Sequence, residues 1–183
     1  MAIREILTAE NPFLRRKAKR VRRFDGTIGA LVEDMAATME AAKGVGLAAP
    51  QVGVPIRCFV VRLAEDHEGP HAGELLVFFN PEIVEASGEE EGEEGCLSFP
   101  GYAGEVVRAT AITLKGQDER GRHKRLKAEG YLARVLQHEL DHLDGILFQD
   151  RLTSSDKRAC GMPTAASRFS KRARFDFEPI RPT

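Results

Sequence analysis

A chain that carries Gln137-His138-Glu139-Leu140-Asp141-His142 inside an apolar helical repeat has little freedom in where it places that segment. From Glu129 onward Leu132, Val135, Leu136, Leu140 and Leu143 recur at helical spacing and Gly145 supplies a stop, so the stretch is predicted to be an interior helix. Residues i and i+4 of a helix share a face, with Cβ atoms roughly 5–6 Å apart, so both imidazoles can reach one metal ion. Two histidines under-coordinate a metal; a third protein ligand must come from elsewhere, and a catalytic site keeps a further position for water. Cys96, within Glu94-Gly95-Cys96-Leu97-Ser98, is the candidate, giving a Cys-His-His set. The competing reading is a pair of helix histidines that hold no metal.

Composition narrows the setting. A chain of 183 residues fits one domain with a real core. Its 27 basic and 28 acidic side chains nearly cancel, which gives no overall case for DNA or membrane-surface binding. Cys58, Cys96 and Cys160 are an odd, widely spaced set, so a disulfide scaffold is not expected, and Cys58 reads as a core thiol. No apolar run approaches the roughly 18 residues of a membrane span. The expectation is a soluble protein of the cytoplasm, bacterial in type.

Along the chain, Asn11-Pro12 opens a short helical or irregular segment. Ile28, Leu31, Val32, Met35, Met39 and Ala42 mark an amphipathic helix over 27–42, ended by Lys43-Gly44. The following Gly44-Val45-Gly46-Leu47-Ala48-Ala49-Pro50-Gln51 mimics a dinucleotide fingerprint. A helix precedes it and prolines follow, the reverse of what that fingerprint needs, so a tight turn is the plain reading. Residues 57–63 read as a buried strand, and 75–80 and 82–86 as strands broken at Pro81. Glu89 to Glu94, five carboxylates in six residues, reads as a solvated loop with Glu94 as its exception. Residues 106–114 and a return strand over 123–127 form a hairpin, with His123 exposed. His67 and His71 flank Gly69-Pro70, which forbids a shared helical face, so they are not expected to bind metal. Together these elements predict an α+β fold: antiparallel β-sheets around a central metal-binding helix, with an N-terminal amphipathic helix. Residues 1–150 form a single catalytic domain. Residues 151–183, with eight Lys/Arg against three Asp/Glu, form a basic C-terminal tail.

Three stretches together, Gly44 to Gln51, Glu94 to Ser98 and Gln137 to His142, resemble the three motifs of the peptide deformylase family, in its order and at similar spacing. The resemblance covers roughly residues 3 to 150. It implies a metal-dependent amide hydrolase that removes the formyl group from the N-terminal formyl-methionine of nascent polypeptides and releases formate. Carried over residue by residue, Cys96, His138 and His142 hold one divalent ion. The ion expected is Fe2+, with Zn2+, Ni2+ or Co2+ able to substitute. Glu139 moves the protons, and the Gln51 amide and Leu97 N–H donate to the developing oxyanion. Gly46 and Gly95 let an extended substrate backbone lie alongside, while Val45, Tyr131 and Val135 face the methionine side chain. Arg134 is placed near the pocket rim. Many family members carry an arginine seven residues beyond the ligand cysteine; here that position is Ala103, with Tyr102 and Arg108 as candidate replacements. N-formylmethionyl peptides are the expected partners, and the ribosome near the nascent-chain exit is a candidate through the basic tail. A metal-dependent peptidase and a non-catalytic metal-binding protein are the rival readings. Cys96 weighs against the first, and the pairing of Glu139 with Gln51 against the second.

Overall fold

The computed structural model describes residues 2–152. A five-stranded antiparallel sheet in the order β1-β2-β3-β6-β7 is built from β1 (Gly46–Ala48), β2 (Cys58–Val61), β3 (Leu76–Ser87), β6 (Ala111–Gln117) and β7 (His123–Glu129). Two further strands, β4 (Glu90–Cys96) and β5 (Phe99–Arg108), pair with each other as a second sheet, and Val106 of β5 also bridges to Leu152. Helix α1 (Gly26–Ala41) and helix α2 (Gly130–Leu143) cover opposite faces of the large sheet, and a short α3 (Phe148–Arg151) packs on the β4–β5 hairpin.

The period-two geometry of a strand explains why β2 and the start of β3 are apolar throughout. Phe59, Val61, Leu76 and Phe78 face α2, where they meet Leu132, Val135, Leu136 and Leu143. Cys58, Val60, Val77 and Phe79 face α1 and its stripe of Ile28, Leu31, Val32, Met35 and Met39. Cys58 is fully buried, as its apolar neighbours predict. Asp25 caps α1 by accepting from the Thr27 N–H, and Gly145, at φ +74°, ends the turn after α2.

Several boundaries differ from the sequence reading. Pro81 does not break β3. It lies at a register shift between Phe79 and Glu82, beside Asn80 at φ +49°, and the strand resumes as far as Ser87. Glu90 to Glu94 is strand rather than loop: Glu90, Glu91 and Glu93 remain exposed while Glu94 is buried. Residues 106–114 are not one strand: Ala109 and Thr110 separate β5 from β6, which lie in different sheets. The turn expected over 44–51 holds β1 and a 3-10 turn, Ala49–Val52. Among the described residues no helix is long and apolar enough to cross a membrane. Of the tail over 151–183, all but Arg151 and Leu152 lies outside the described residues.

Candidate metal centre

Helix α2 is buried on two faces, which is what brings its polar residues inside. Its leucines fill the sheet core, while Arg134, His138, Asp141 and His142 turn toward the β4–β5 hairpin and are each at most 8% exposed. Cys96 ends β4, where the register slips before Phe99, and that slip turns its Sγ toward the helix. Sγ lies 3.3 Å from His142 Nε2, which lies 3.3 Å from His138 Nε2. All three donor atoms fall within 4.8 Å of one another.

This spacing fits a metal. A tetrahedral ion with bonds of about 2.0–2.1 Å to nitrogen separates two ligand nitrogens by about 3.3 Å. Two imidazole nitrogens and a thiol sulfur aimed at one point are a donor set that suits a divalent ion. Burial opposes charge on Cys96, yet His142 and His138 beside it hold the thiol well below its usual range, the thiolate form that a metal binds. Burial likewise opposes charge on His138, which the thiolate and Glu94 nonetheless raise well above the usual imidazole range.

Glu94 accepts at 2.9 Å from His138 Nδ1, so Nε2 is the nitrogen left to point at the centre. Burial alone would push the Glu94 carboxyl up, but hydrogen bonds from Arg108 and His138 bring it down to about 2. Arg108 forks onto both Glu94 oxygens at 2.8 and 3.0 Å and reaches Asp141 at 2.6 Å, and Arg151 grips the same Asp141. Asp141, the non-ligand acid of the helix motif, is thus the bolt between α2, β5 and α3. These partners are not legible in the sequence, except for the hint that Glu94 sits two residues from Cys96.

Glu139 lies one residue beyond the first imidazole and is 4% exposed. Burial pushes its carboxyl up to about 7, against the lowering pull of His138 and His142. Its Oε2 has no hydrogen-bond partner among the described residues. The carboxylate rests against β1: a Cβ on Gly46 would stand 2.3 Å from Oε1. Gln51, 1% exposed, is pinned by accepting from the Ala48 N–H at 2.8 Å. Its Nε2 donates to Ser98 Oγ at 3.1 Å and lies 3.7 Å from Cys96 Sγ.

A cavity of about 290 Å³ opens onto this centre. Val45, Gly46, Gln51, Gly95, Cys96, Leu97, Tyr131, Val135, His138 and Glu139 all line it, so the residues picked from sequence converge, with His142 behind them. Lys43, Phe99, Tyr102 and Ala103 also line it. Two sequence readings need correction. Arg108 does not replace the missing arginine at Ala103, because it is buried and committed to Glu94 and Asp141. Arg134 does line the cavity, as its position on the helix implies, but it is not exposed at the rim: its guanidinium is buried against β4 and β5. His67 and His71 take no part in the metal cluster; His67 stacks near Tyr131 at 5.8 Å and His71 pairs with Glu74.

Comparison with known proteins agrees with this geometry. The polypeptide deformylase family model matches residues 3–158. A peptide deformylase of Thermomicrobium roseum is 52% identical over 153 residues, 83% of this chain and 87% of that protein. One from Dehalococcoides mccartyi is 49% identical over 157 residues, 86% of this chain and 90% of its own. Among solved structures, the peptide deformylase of Thermus thermophilus superposes with a TM-score of 0.78 at 48% identity, covering 86% of this chain and 90% of that one.

Proposed function

This chain belongs to the polypeptide deformylase family and removes the formyl group from N-terminal formyl-methionine, and from that premise we propose how its residues divide the work. Cys96, His138 and His142 hold one divalent ion, Fe2+ in the cell, with Zn2+, Ni2+ or Co2+ able to replace it; their mutual spacing supports this. Such an ion supplies Lewis acidity, lowering the pKa of water toward neutrality and polarising a carbonyl.

Glu139 takes the proton of the attacking water and hands it to the leaving amine nitrogen. A carboxyl pushed up to about 7, with one oxygen that has no partner among the described residues, suits a group that must both accept and give a proton near neutrality. Gln51 Nε2 and the Leu97 N–H donate to the oxygen that gains charge, and the Ala48 bond that fixes the Gln51 amide favours a preorganised donor. β1 is an edge of the large sheet and β4 an edge of the small one, so an extended substrate backbone fits between Gly46 and Gly95 in strand fashion. Val45, Tyr131 and Val135 give the methionine side chain its apolar wall.

Residues 1–150 act as a single catalytic domain, in the cytoplasm where formylated chains emerge. The basic segment after Arg151 contacts ribosomal RNA near the exit, a reading that rests on its charge; salt-insensitive co-sedimentation, or none, would remove it. The observation that carries the whole reading is the convergence of thiolate, two imidazoles and a buried carboxylate at the floor of one cavity. It is tested by formate release from formyl-Met-Ala-Ser with protein purified anaerobically and loaded in turn with Fe2+, Ni2+, Co2+ and Zn2+. Release is expected with the first three; no release with any ion refutes the assignment, and full activity with Zn2+ alone refutes iron.

A further inference from the structure

The β4–β5 hairpin forms its own two-stranded sheet, and an isolated two-stranded hairpin is marginal in water. Yet β4 ends in the thiolate ligand, while both imidazoles ride on α2. Something must hold hairpin to helix with the accuracy a metal demands. Apolar contact among Val106, Phe99 and Phe148 contributes, but apolar packing is non-directional. Directional ties come from Arg108, which joins Glu94 to Asp141, from Glu94 on His138, and from Arg134, which among these is the one that grips the backbone of both strands. Arg134, one turn before His138, donates to the Glu90 carbonyl at 2.8 Å and the Gly92 carbonyl at 3.2 Å on β4. It also donates to the Val106 carbonyl on β5 at 2.7 Å and to Glu94 Oε1 at 3.1 Å. Gly92 lies against the guanidinium: a Cβ there would stand 2.9 Å from Nη2 and 3.0 Å from Cζ.

We infer that Arg134 is a positioning residue that locks the Cys96-bearing hairpin onto the His138/His142 helix and so sets how firmly the metal is retained. The inference rests on the ligand assignment proposed above. Arg134 supplies no ligand atom; it acts through the backbone of both strands and through Glu94, which orients His138. A planar fork is needed for this, because a lysine ammonium at the same place cannot reach three carbonyls and a carboxylate together. Without the fork three backbone carbonyls lose a donor, the hairpin loosens, and the thiolate is the ligand that moves.

The test uses the full chain loaded with Co2+, comparing wild type with R134M, R134K, G92A and N80A. The readouts are the rate at which a chelator strips the ion and the cobalt d–d spectrum. R134M and R134K are expected to release Co2+ about 10- to 100-fold faster, the usual scale for groups that support metal ligands, with an altered spectrum. G92A keeps every ligand and the arginine but displaces the guanidinium, so it shifts both readouts the same way and decides the matter if R134M does not fold. N80A breaks a hydrogen-bonded anchor to Val21 and Gln117 in the large sheet, so it lowers Tm yet strips at the wild-type rate. Wild-type stripping in R134M or G92A, rescue by R134K, or stripping of N80A as fast as R134M overturns the inference. Wild type that binds no Co2+ overturns the ligand assignment itself, a different failure from wild type and R134M retaining the ion equally.

Discussion

Replacing Gly46 by alanine tests the site with a single methyl group. The new Cβ would stand 2.3 Å from Glu139 Oε1, 2.8 Å from its Cδ and 3.0 Å from its Cγ. A tolerable carbon-to-oxygen contact is about 3.3 Å, so the carboxylate must retreat by roughly 1 Å. The strand itself has little reason to object, since Gly46 is not in the left-handed region and alanine is accommodated there. A 1 Å misplacement of a reacting group costs about 100-fold in rate, equivalent to about 2.7 kcal/mol of barrier. The assay is kcat for formate release, with metal content and Tm measured on the same preparation. The expected result is about 100-fold lower kcat with one ion still bound and Tm within a few degrees. Near-wild-type kcat in a fully metallated G46A would show that the position of Glu139 against β1 does not matter, and the proton-transfer role would fall with it.

Gly95 makes the contrasting case: a Cβ there meets only the Tyr102 carbonyl at 3.6 Å, an ordinary contact, so G95A should raise KM through the substrate while leaving Tm alone. An unchanged KM would remove Gly95 from the substrate path. Q51L should lower kcat by about 10²–10³ with metal content intact, and metallated Q51L at wild-type rate would dismiss the oxyanion role. Glu94 is held at about 2 in the fold against an ordinary unfolded value near 4.3, so the stability it contributes is present above about pH 4.3 and is lost as pH falls toward 2. Denaturation midpoints should therefore drop across that window in wild type and drop less steeply in E94Q; parallel profiles would show that Glu94 does not contribute this pH dependence. Cys58 is fully buried and burial pushes its thiol up, so alkylation of the native protein followed by peptide mapping should leave it unmodified. Rapid labelling at Cys58 would count against its burial between the large sheet and α1.

What the sequence discloses depends on whether a residue's partner is near it in the chain. The stripe of α1, the apolar run of β2 and the four-residue spacing of His138 and His142 are local patterns, and each leads to the right element. The ligand triad and cavity lining follow from motifs at family spacing. The strand over Glu90 to Cys96 does not, because a run of carboxylates looks the same whether all are solvated or one faces inward to an arginine 14 residues away. Pro81 misleads for a similar reason: a bulge lets a strand carry a proline, and the bulge depends on pairing with β6. Arg108 reads as a pocket charge, and the burial of Arg134 in the cavity wall goes unseen, because Arg is seldom buried unpaired and Glu94, Asp141 and the hairpin carbonyls that pair with them are long-range neighbours.

Glu139 is proposed to move protons at a centre held by three other residues, Cys96, His138 and His142. Formate release from a formyl-methionyl peptide and metal content, measured on the same samples of wild type and Glu139→Ala, test it most directly. One ion per chain is expected in both, with release reduced by about 10²–10⁴ in the variant. Equal release by both, or loss of the ion from the variant, would contradict it.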